Sequence, residues 1–409
     1  MAVAGASLAM PAVLRANATE SLADIFSRDR VLRGGEDVEA TAEAKALVDT
    51  PEPLMSFDTA NNLQLAISQY EPFVAAGGWE EIPRDAYRLK LGTSRRAVVS
   101  LKRRLMESGD MPTSAKLDEM VDVDTDRAIR AFQARHGLIV TGEVDEATFY
   151  AMSVPAADRL NQLYLNLQRV QRLAPNLSDR YVVVNIPAAS IEAVELGTVA
   201  QRHTAVVGRV DRATPILDSK IYQINFNPYW HVPKSIIRAD LTKYMQEDPD
   251  YLTKFRIHIY DSKGIEVEPT QIDWTTDDAV NYMFRQEPGA ENSMGHVKIN
   301  FHNKYNVYLH DTPSKSLFGE NARFHSSGCV RVSAVNELVS WLLRDNGGWD
   351  INNVNGAFDS NERLDVEIKQ PVPIHTTYIT AWANRYGSVS FRDDVYDYDA
   401  QGKVTFEDI

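Results

Sequence analysis

The run VRVSAVNELVSWLLRDNGG, residues 330–348, places Val335, Leu338, Val339, Leu342 and Leu343 at helical spacing and ends on Gly347-Gly348. That pattern predicts an amphipathic helix beginning just after Cys329. Two more helices follow from the same reasoning, NLQLAISQYEPFVAA before Gly77-Gly78 and RLNQLYLNLQRVQRLAP at 159–175. Residues 84–153 read as a compact three-helix unit. In it Val98, Leu101 and Leu105 share one helical face, a second helix runs from Asp124 or Thr125 to His136 before Gly137, and a third has Asp145 as its N-cap. Arg95, Arg96, Lys102, Arg103 and Arg104 are read as a solvated face.

Beyond residue 178 the period changes to two. Tyr181–Ile186, Ser190–Leu196, His203–Val207 and Ile221–Asn225 alternate as valine- and isoleucine-rich strands. In HVKINFHNKYNVYLHD, Asn303-Lys304 is the expected hairpin turn feeding a strand that ends at His310. The stretch from about 231 to 296 mixes a helix with short strands and looks inserted, either as a lid or as a structural excursion. If it is a lid, Trp274, Tyr282 and Phe284 are expected to shield the reacting centre.

The expected fold class is therefore α+β and multi-domain: a strand-rich mixed domain with a capping insert, a helical scaffold and a small three-helix module. The boundaries read as 19–83 scaffold, 84–153 module, 154–178 connecting helix, 179–395 strand-rich domain and 396–409 tail. Residues 1–18, alanine-rich and closing on Ala16-Asn17-Ala18, fit a truncated export signal and point to the periplasm.

Charge and chemistry narrow this. Acidic residues outnumber basic ones 57 to 43, a net charge of −14, which argues against nucleic acid as a partner. No stretch is apolar enough to span a bilayer. The single cysteine excludes an internal disulfide and a multi-thiolate zinc site. A lone cysteine is most often a small buried residue. Cys329, however, follows a polar Ser326-Ser327-Gly328 turn and precedes the expected helix start, where the dipole favours a thiolate. His310, at a strand end nineteen positions upstream, is the preferred base, and His325 competes with it. His231, His258, His296 and His302 have no partner visible in sequence, and Asp311 points the other way along the strand from His310.

YLHDTPSKSLF…FHSSGCVRV resembles the YkuD-type L,D-transpeptidase catalytic domain, whose signature is a histidine, a short spacer and Ser-x-Gly-Cys-x-Arg. FNPYWHVP at 226–233, GHVKINFHNKYNVYLHD and PVPIHTTYITAWANRYGSVSFRDDVY are similar to the large YcbB-type branch. Ala131-Phe132-Gln133, His136-Gly137-Leu138 and Gly142 resemble a peptidoglycan-binding module.

The resemblance implies Cys329 as nucleophile, His310 as general base, and the backbone N–H groups of Gly328 and Cys329 as oxyanion hole. It also implies that Arg331 holds a substrate carboxylate or braces the loop, and that Ser327, Tyr308 and Trp230 contact substrate. Ser327 replaces the second histidine of the commoner form. The implied reaction needs no metal or organic cofactor. Cys329 attacks the carbonyl at the L-centre of diaminopimelate in a tetrapeptide stem and releases D-alanine, and the thioester passes to a neighbouring stem amine as a 3→3 cross-link. Water as acceptor would make an L,D-carboxypeptidase and a protein amine an anchoring enzyme. A wall-binding protein with a degenerate catalytic domain is the reading from another class. Stem peptides and glycan strands are the implied partners, and carbapenems the implied acylating inhibitors.

Overall fold

The structure is a computed structural model describing residues 38–46 and 48–406. The segment read as an export signal lies outside the described residues. Within them, no helix is long and apolar enough to cross a membrane. The chain divides into two units.

The first unit takes in residues through Ala200, Gly319–Phe324 and the chain from Thr376. Its helices are α1 (Val38–Ala46), α2 (Phe57–Ala75), α3 (Ala97–Glu107), α4 (Val123–Arg135), α5 (Glu146–Ser153) and α6 (Ala156–Leu173), followed by an antiparallel hairpin of β1 (Arg180–Asn185) and β2 (Ser190–Glu195). Val98, Leu101, Leu105, Ile129, Phe132 and Met152 form one core joining α3, α4 and α5. Asp145 caps α5 by accepting from Thr148 N at 2.8 Å, as the sequence indicates. The cap of α4 lies earlier than expected, at Asp122, because its carboxylate accepts from both Thr125 N (2.8 Å) and Thr125 Oγ1 (2.6 Å).

The supposed solvated face of α3 needs correcting. Lys102 is 1% exposed and pairs with Asp118 at 2.9 Å and Asp122 at 3.0 Å. Arg104 lies 3.7 Å above the Trp79 ring and donates through Nε to Met152 O at 3.1 Å. Neighbouring segments cover these stems, so only Arg103, among these three, keeps a half-exposed side chain.

The second unit takes in Gln201–Phe318 and His325–His375. Its strands are β3 (Thr198–Gly208), β4 (Leu217–Phe226), β5 (Trp230–His231), β6 (Ile257–Tyr260), β7 (Glu266–Val267), β8 (Met283–Gln286), β9 (Val297–Phe301), β10 (Leu309–His310), β11 (Phe324–Ser326), β12 (Val330–Val332) and β13 (Leu364–Thr377). The main sheet runs β11-β3-β12-β10-β9-β4-β13, with β10 and β12 parallel. The insert forms its own antiparallel sheet, β5-β8-β6-β7, over a separate core that includes Val232, Ile237, Leu241, Ile259 and Phe284.

Two further expectations are overturned. The helix does not start after Cys329: Val330–Val332 is a strand held between β3 and β10, and α7 (Val335–Leu343) begins only after Ala334, which sits in the left-handed region at φ 44°. Valines flanking Arg331 supply a period-two pattern that pairing partners convert into a strand. The helix dipole therefore does not act on Cys329. Nor can Phe284 shield a substrate, since it is 1% exposed inside the insert's core, while Trp274 and Tyr282 pack partly buried against that core.

Candidate active site

Strand register builds this site. On β10, His310 lies opposite Lys298 of β9 and Arg331 of β12, a row of three basic side chains across adjacent strands. Leu309 sits between Ile299 and Val330, all fully buried on the other face. Alternation carries Tyr308 to His310's side and Cys329 to Arg331's side. Val330 N donates to Tyr308 O at 3.0 Å, so Tyr308 is the lateral neighbour of Cys329. His310 stands one pleat repeat further on, a diagonal of about 7–8 Å that aromatic side chains span.

The turn before Cys329 is held from several sides. Gly328 adopts φ +109°, a region that favours glycine. Ser326 Oγ accepts from Gly328 N at 3.1 Å and donates to Cys329 O at 2.5 Å, while Thr214 Oγ1 donates to Gly328 O at 2.9 Å. The segment after β3 can fold this closely because a Cβ on Gly208 would lie 2.3 Å from Arg212 O. Arg212 Nη1 then donates to Ser327 Oγ at 2.8 Å and to Asp240 Oδ2 of the insert at 2.7 Å. In this arrangement the Gly328 N–H is engaged by Ser326 Oγ, and the exposed Ser327 accepts from Arg212 through its Oγ.

Tyr308 and His310 are aimed by the loop before β10. Asn303 Nδ2 donates to Phe301 O (3.0 Å) and Val307 O (2.8 Å), while its Oδ1 accepts from Tyr305 N (3.0 Å) and Val307 N (3.1 Å). One side chain replaces the backbone bonds of the two-residue turn expected at Asn303-Lys304.

Electrostatics define the resting state. Burial first, then the Arg331 charge, lowers the His310 pKa to about 3, so the imidazole is neutral near pH 7. Its Nδ1 is buried and meets no acceptor at full hydrogen-bond geometry, and the pull of the Asp311 backbone and carboxylate offsets the shift only in part. Asp311 accepts instead from His296 N at 3.0 Å and pairs with Lys315.

Burial raises the Cys329 thiol above its ordinary value, against the opposing pull of the Tyr308 backbone N–H and hydroxyl and of the Lys298 and Arg331 charges. The Tyr308 hydroxyl is held well above its usual range by burial and by the Cys329 sulfur, while a hydrogen bond from Trp230 works the other way. Lys298 Nζ lies 4.4 Å from the Tyr308 ring centroid, and burial lowers its pKa. Arg331 Nε is buried without a hydrogen-bond partner. The site thus rests as a thiol and a neutral imidazole, with Tyr308 as the neighbour of the sulfur.

His325 lies on β11, which β3 separates from β12 in the sheet. Sequence reasoning missed Lys298, Arg212 and Thr214. Lys298 carried a usable signal, as the one cation between Val297 and Ile299 in a strand leading to His310. Arg212 and Thr214 carried none, since their roles exist only through the fold of the 208–214 segment.

Residues 179–374 match the family model described as the L,D-transpeptidase catalytic domain (YkuD), and residues 94–152 match the "Putative peptidoglycan binding domain". A "Putative L,D-transpeptidase" of Haemophilus influenzae is 34% identical over 254 residues, covering 61% of this chain and 51% of the relative. The chain thus spans about half the length of that curated relative. A crystal structure of the L,D-transpeptidase (residues 123–326) from Xylanimonas cellulosilytica aligns at 17% identity over 71% of this chain and 98% of that one, with a TM-score of 0.23. An L,D-transpeptidase from Mycobacterium smegmatis aligns at 14% identity over 49% and 58%, with a TM-score of 0.25. Overlaps of that size carry no argument about the site.

Proposed function

We propose, from the match of residues 179–374 to the L,D-transpeptidase catalytic domain and of residues 94–152 to the peptidoglycan-binding domain, that the chain forms 3→3 cross-links in peptidoglycan through a Cys329 thioester. The observation that carries this reading is the lone cysteine beside Tyr308, one pleat repeat from a neutral His310.

In the proposed first half-reaction, Cys329 Sγ attacks the carbonyl of the diaminopimelate L-centre and its proton passes to His310. The Cys329 N–H stabilises the tetrahedral oxyanion. Collapse expels D-alanine, whose amine takes the proton from His310. A stem amine then attacks the thioester, gives its proton to His310, and the thiol leaves reprotonated. A base that is neutral in the resting enzyme can accept the first proton without prior deprotonation. Tyr308 steadies the sulfur as it gains charge.

Peptidoglycan stems and strands are the proposed partners, and the periplasm the proposed site of action. Carbapenems, with a strained acyl bond, would acylate the same sulfur. Incubation with a disaccharide tetrapeptide tests the reading by chromatography and mass spectrometry. Released D-alanine with a dimer linked between third residues supports it. D-alanine with only tripeptide would instead mark a carboxypeptidase, and no release at all would leave a wall-binding protein.

A further inference from the structure

Lys298 shares a row with the base and carries no step of the proposed reaction. On β9 it pairs on one side with His310 of β10 and on the other with Asn225 of β4. Its ammonium lies 4.4 Å from the centre of the Tyr308 ring, and Tyr308 is the lateral neighbour of Cys329. The side chain is half-buried, yet Nζ is not sealed off as His310 Nδ1 and Arg331 Nε are. All of these residues belong to the second unit.

This cation lacks an anion. Lys298 forms no hydrogen bond or ion pair among the described residues. The carboxylate that acts on it, Asp365, already accepts from Asn225 Nδ2 at 2.7 Å and from Arg363 Nη2 at 2.9 Å. Cys329 rests as a thiol, so the resting sulfur is no counterion. The Tyr308 ring face offsets a partly desolvated ammonium only in part. Other charges nearby are positive as well. His231 of β5 is held below its ordinary value by burial first and then by Arg285, Lys298 and Arg363. In a chain of net charge −14, the surroundings of the nucleophile are therefore set to attract an anion.

We propose that Lys298 receives a carboxylate of the donor stem and so selects stems in which that carboxylate is free. The inference rests on the L,D-transpeptidase reading above. A tetrapeptide offers two carboxylates close to the carbonyl that Cys329 attacks. One belongs to the terminal D-alanine, the residue that leaves, and the other to the D-centre of the diaminopimelate side chain. An ammonium is a compact charge on a flexible stem, and it meets a carboxylate oxygen without demanding one plane. Selection follows from the same contact, because an amidated stem would leave the ammonium unpaired.

The test measures kcat/KM of the full chain for release of the fourth residue from three compounds. These are a disaccharide tetrapeptide, its terminal D-alanine amide, and its diaminopimelate side-chain amide. In the parent, one amide should react at least about tenfold more slowly than the free acid, and its identity names the carboxylate. Lys298→Gln should lose at least about tenfold on the free acid but less than about threefold on that amide, whose contact is already gone. Lys298→Arg keeps the charge and should keep the discrimination, and Lys298→Met serves if Lys298→Gln misfolds. Equal losses on all three compounds would assign Lys298 to the sulfur or to packing and overturn the proposal. A parent that does not distinguish the acid from either amide would overturn it too. No release from any compound would refute the catalytic reading instead. Calorimetric titration of Cys329→Ala, with and without Lys298→Gln, against the same three compounds then decides Lys298 by the same pattern.

Discussion

His310 stands directly opposite Arg331 across the parallel pair β10 and β12. Burial first, and this guanidinium second, hold the imidazole at about 3, so it carries no proton near neutral pH. Acylation of Cys329 should therefore show no inflection from His310 between pH 5 and 8 and should rise as the thiol ionises at higher pH. Arg331→Gln removes the second cause of the shift, so His310 should titrate closer to 6.5, while Arg331→Lys should stay nearer the parent. Imidazole chemical shifts against pH read both, and an unmoved titration in Arg331→Gln would remove Arg331 from the account.

The same depressed pKa links stability to pH. Below its ordinary value of 6.5 an unfolded His310 binds a proton that the folded chain refuses until about pH 3. Its contribution is complete above 6.5 and is lost as pH falls toward 3. Denaturant unfolding at pH 7 and pH 4.5 should show the parent losing more stability than His310→Gln over that interval. Equal losses would contradict the buried neutral imidazole.

The Tyr308 hydroxyl pulls the Cys329 thiol down against burial, and Trp230 acts on the same hydroxyl. Tyr308→Phe should raise the thiol pKa further and slow iodoacetamide alkylation at neutral pH by roughly 10–100-fold, the value of one hydrogen bond to a charged group. The lag should shrink at high pH, where the thiolate forms without help. A uniform loss at every pH would mean a packing defect.

Arg212 joins Ser327 of the nucleophile turn to Asp240 of the insert. Arg212→Ala should speed hydrogen exchange in both the 234–247 segment and the 326–329 turn, and should shift products from cross-linked dimer toward hydrolysed tripeptide. An unchanged exchange pattern would show that the insert is held by its own core alone.

In the module, Lys102→Ala removes the buried cation from Asp118 and Asp122, which keep Lys116 and the Thr125 cap, and should cost about 1–3 kcal/mol. Arg103→Ala, at a half-exposed side chain paired with an exposed Glu80, should stay within about 0.5 kcal/mol. Denaturant melts followed through Trp79, which Arg104 covers, compare the two.

Local chemistry was readable where it acts locally. Asp145 as a cap, Gly137 after a helix, and the core face of Val98, Leu101 and Leu105 all depend on neighbours within a turn or two. Val330–Val332 was misread because its conformation depends on Val206 and His310, which no nearby residue reveals. Register is also what puts Tyr308, and not His310, beside Cys329. Lys102 and Phe284 failed for a related reason, since periodicity shows that a face exists but not what covers it. Cys329 and His310 stand out in the sequence as two residue types in a spaced motif, while the row of His310 with Lys298 and Arg331 required the sheet.

The central claim is that Cys329 becomes a thioester with His310 as its base. Intact-protein mass spectrometry after mixing with disaccharide tetrapeptide, without added amine acceptor, tests it most directly. The account predicts a single adduct of the stem shortened by D-alanine, mapping to the peptide that contains Cys329 and absent in Cys329→Ala. It should form roughly 10²–10⁴-fold more slowly in His310→Ala, the loss usual for a general base, and at near the parent rate in His325→Ala. An adduct that persists in Cys329→Ala, or a His325→Ala variant as slow as His310→Ala, would contradict it.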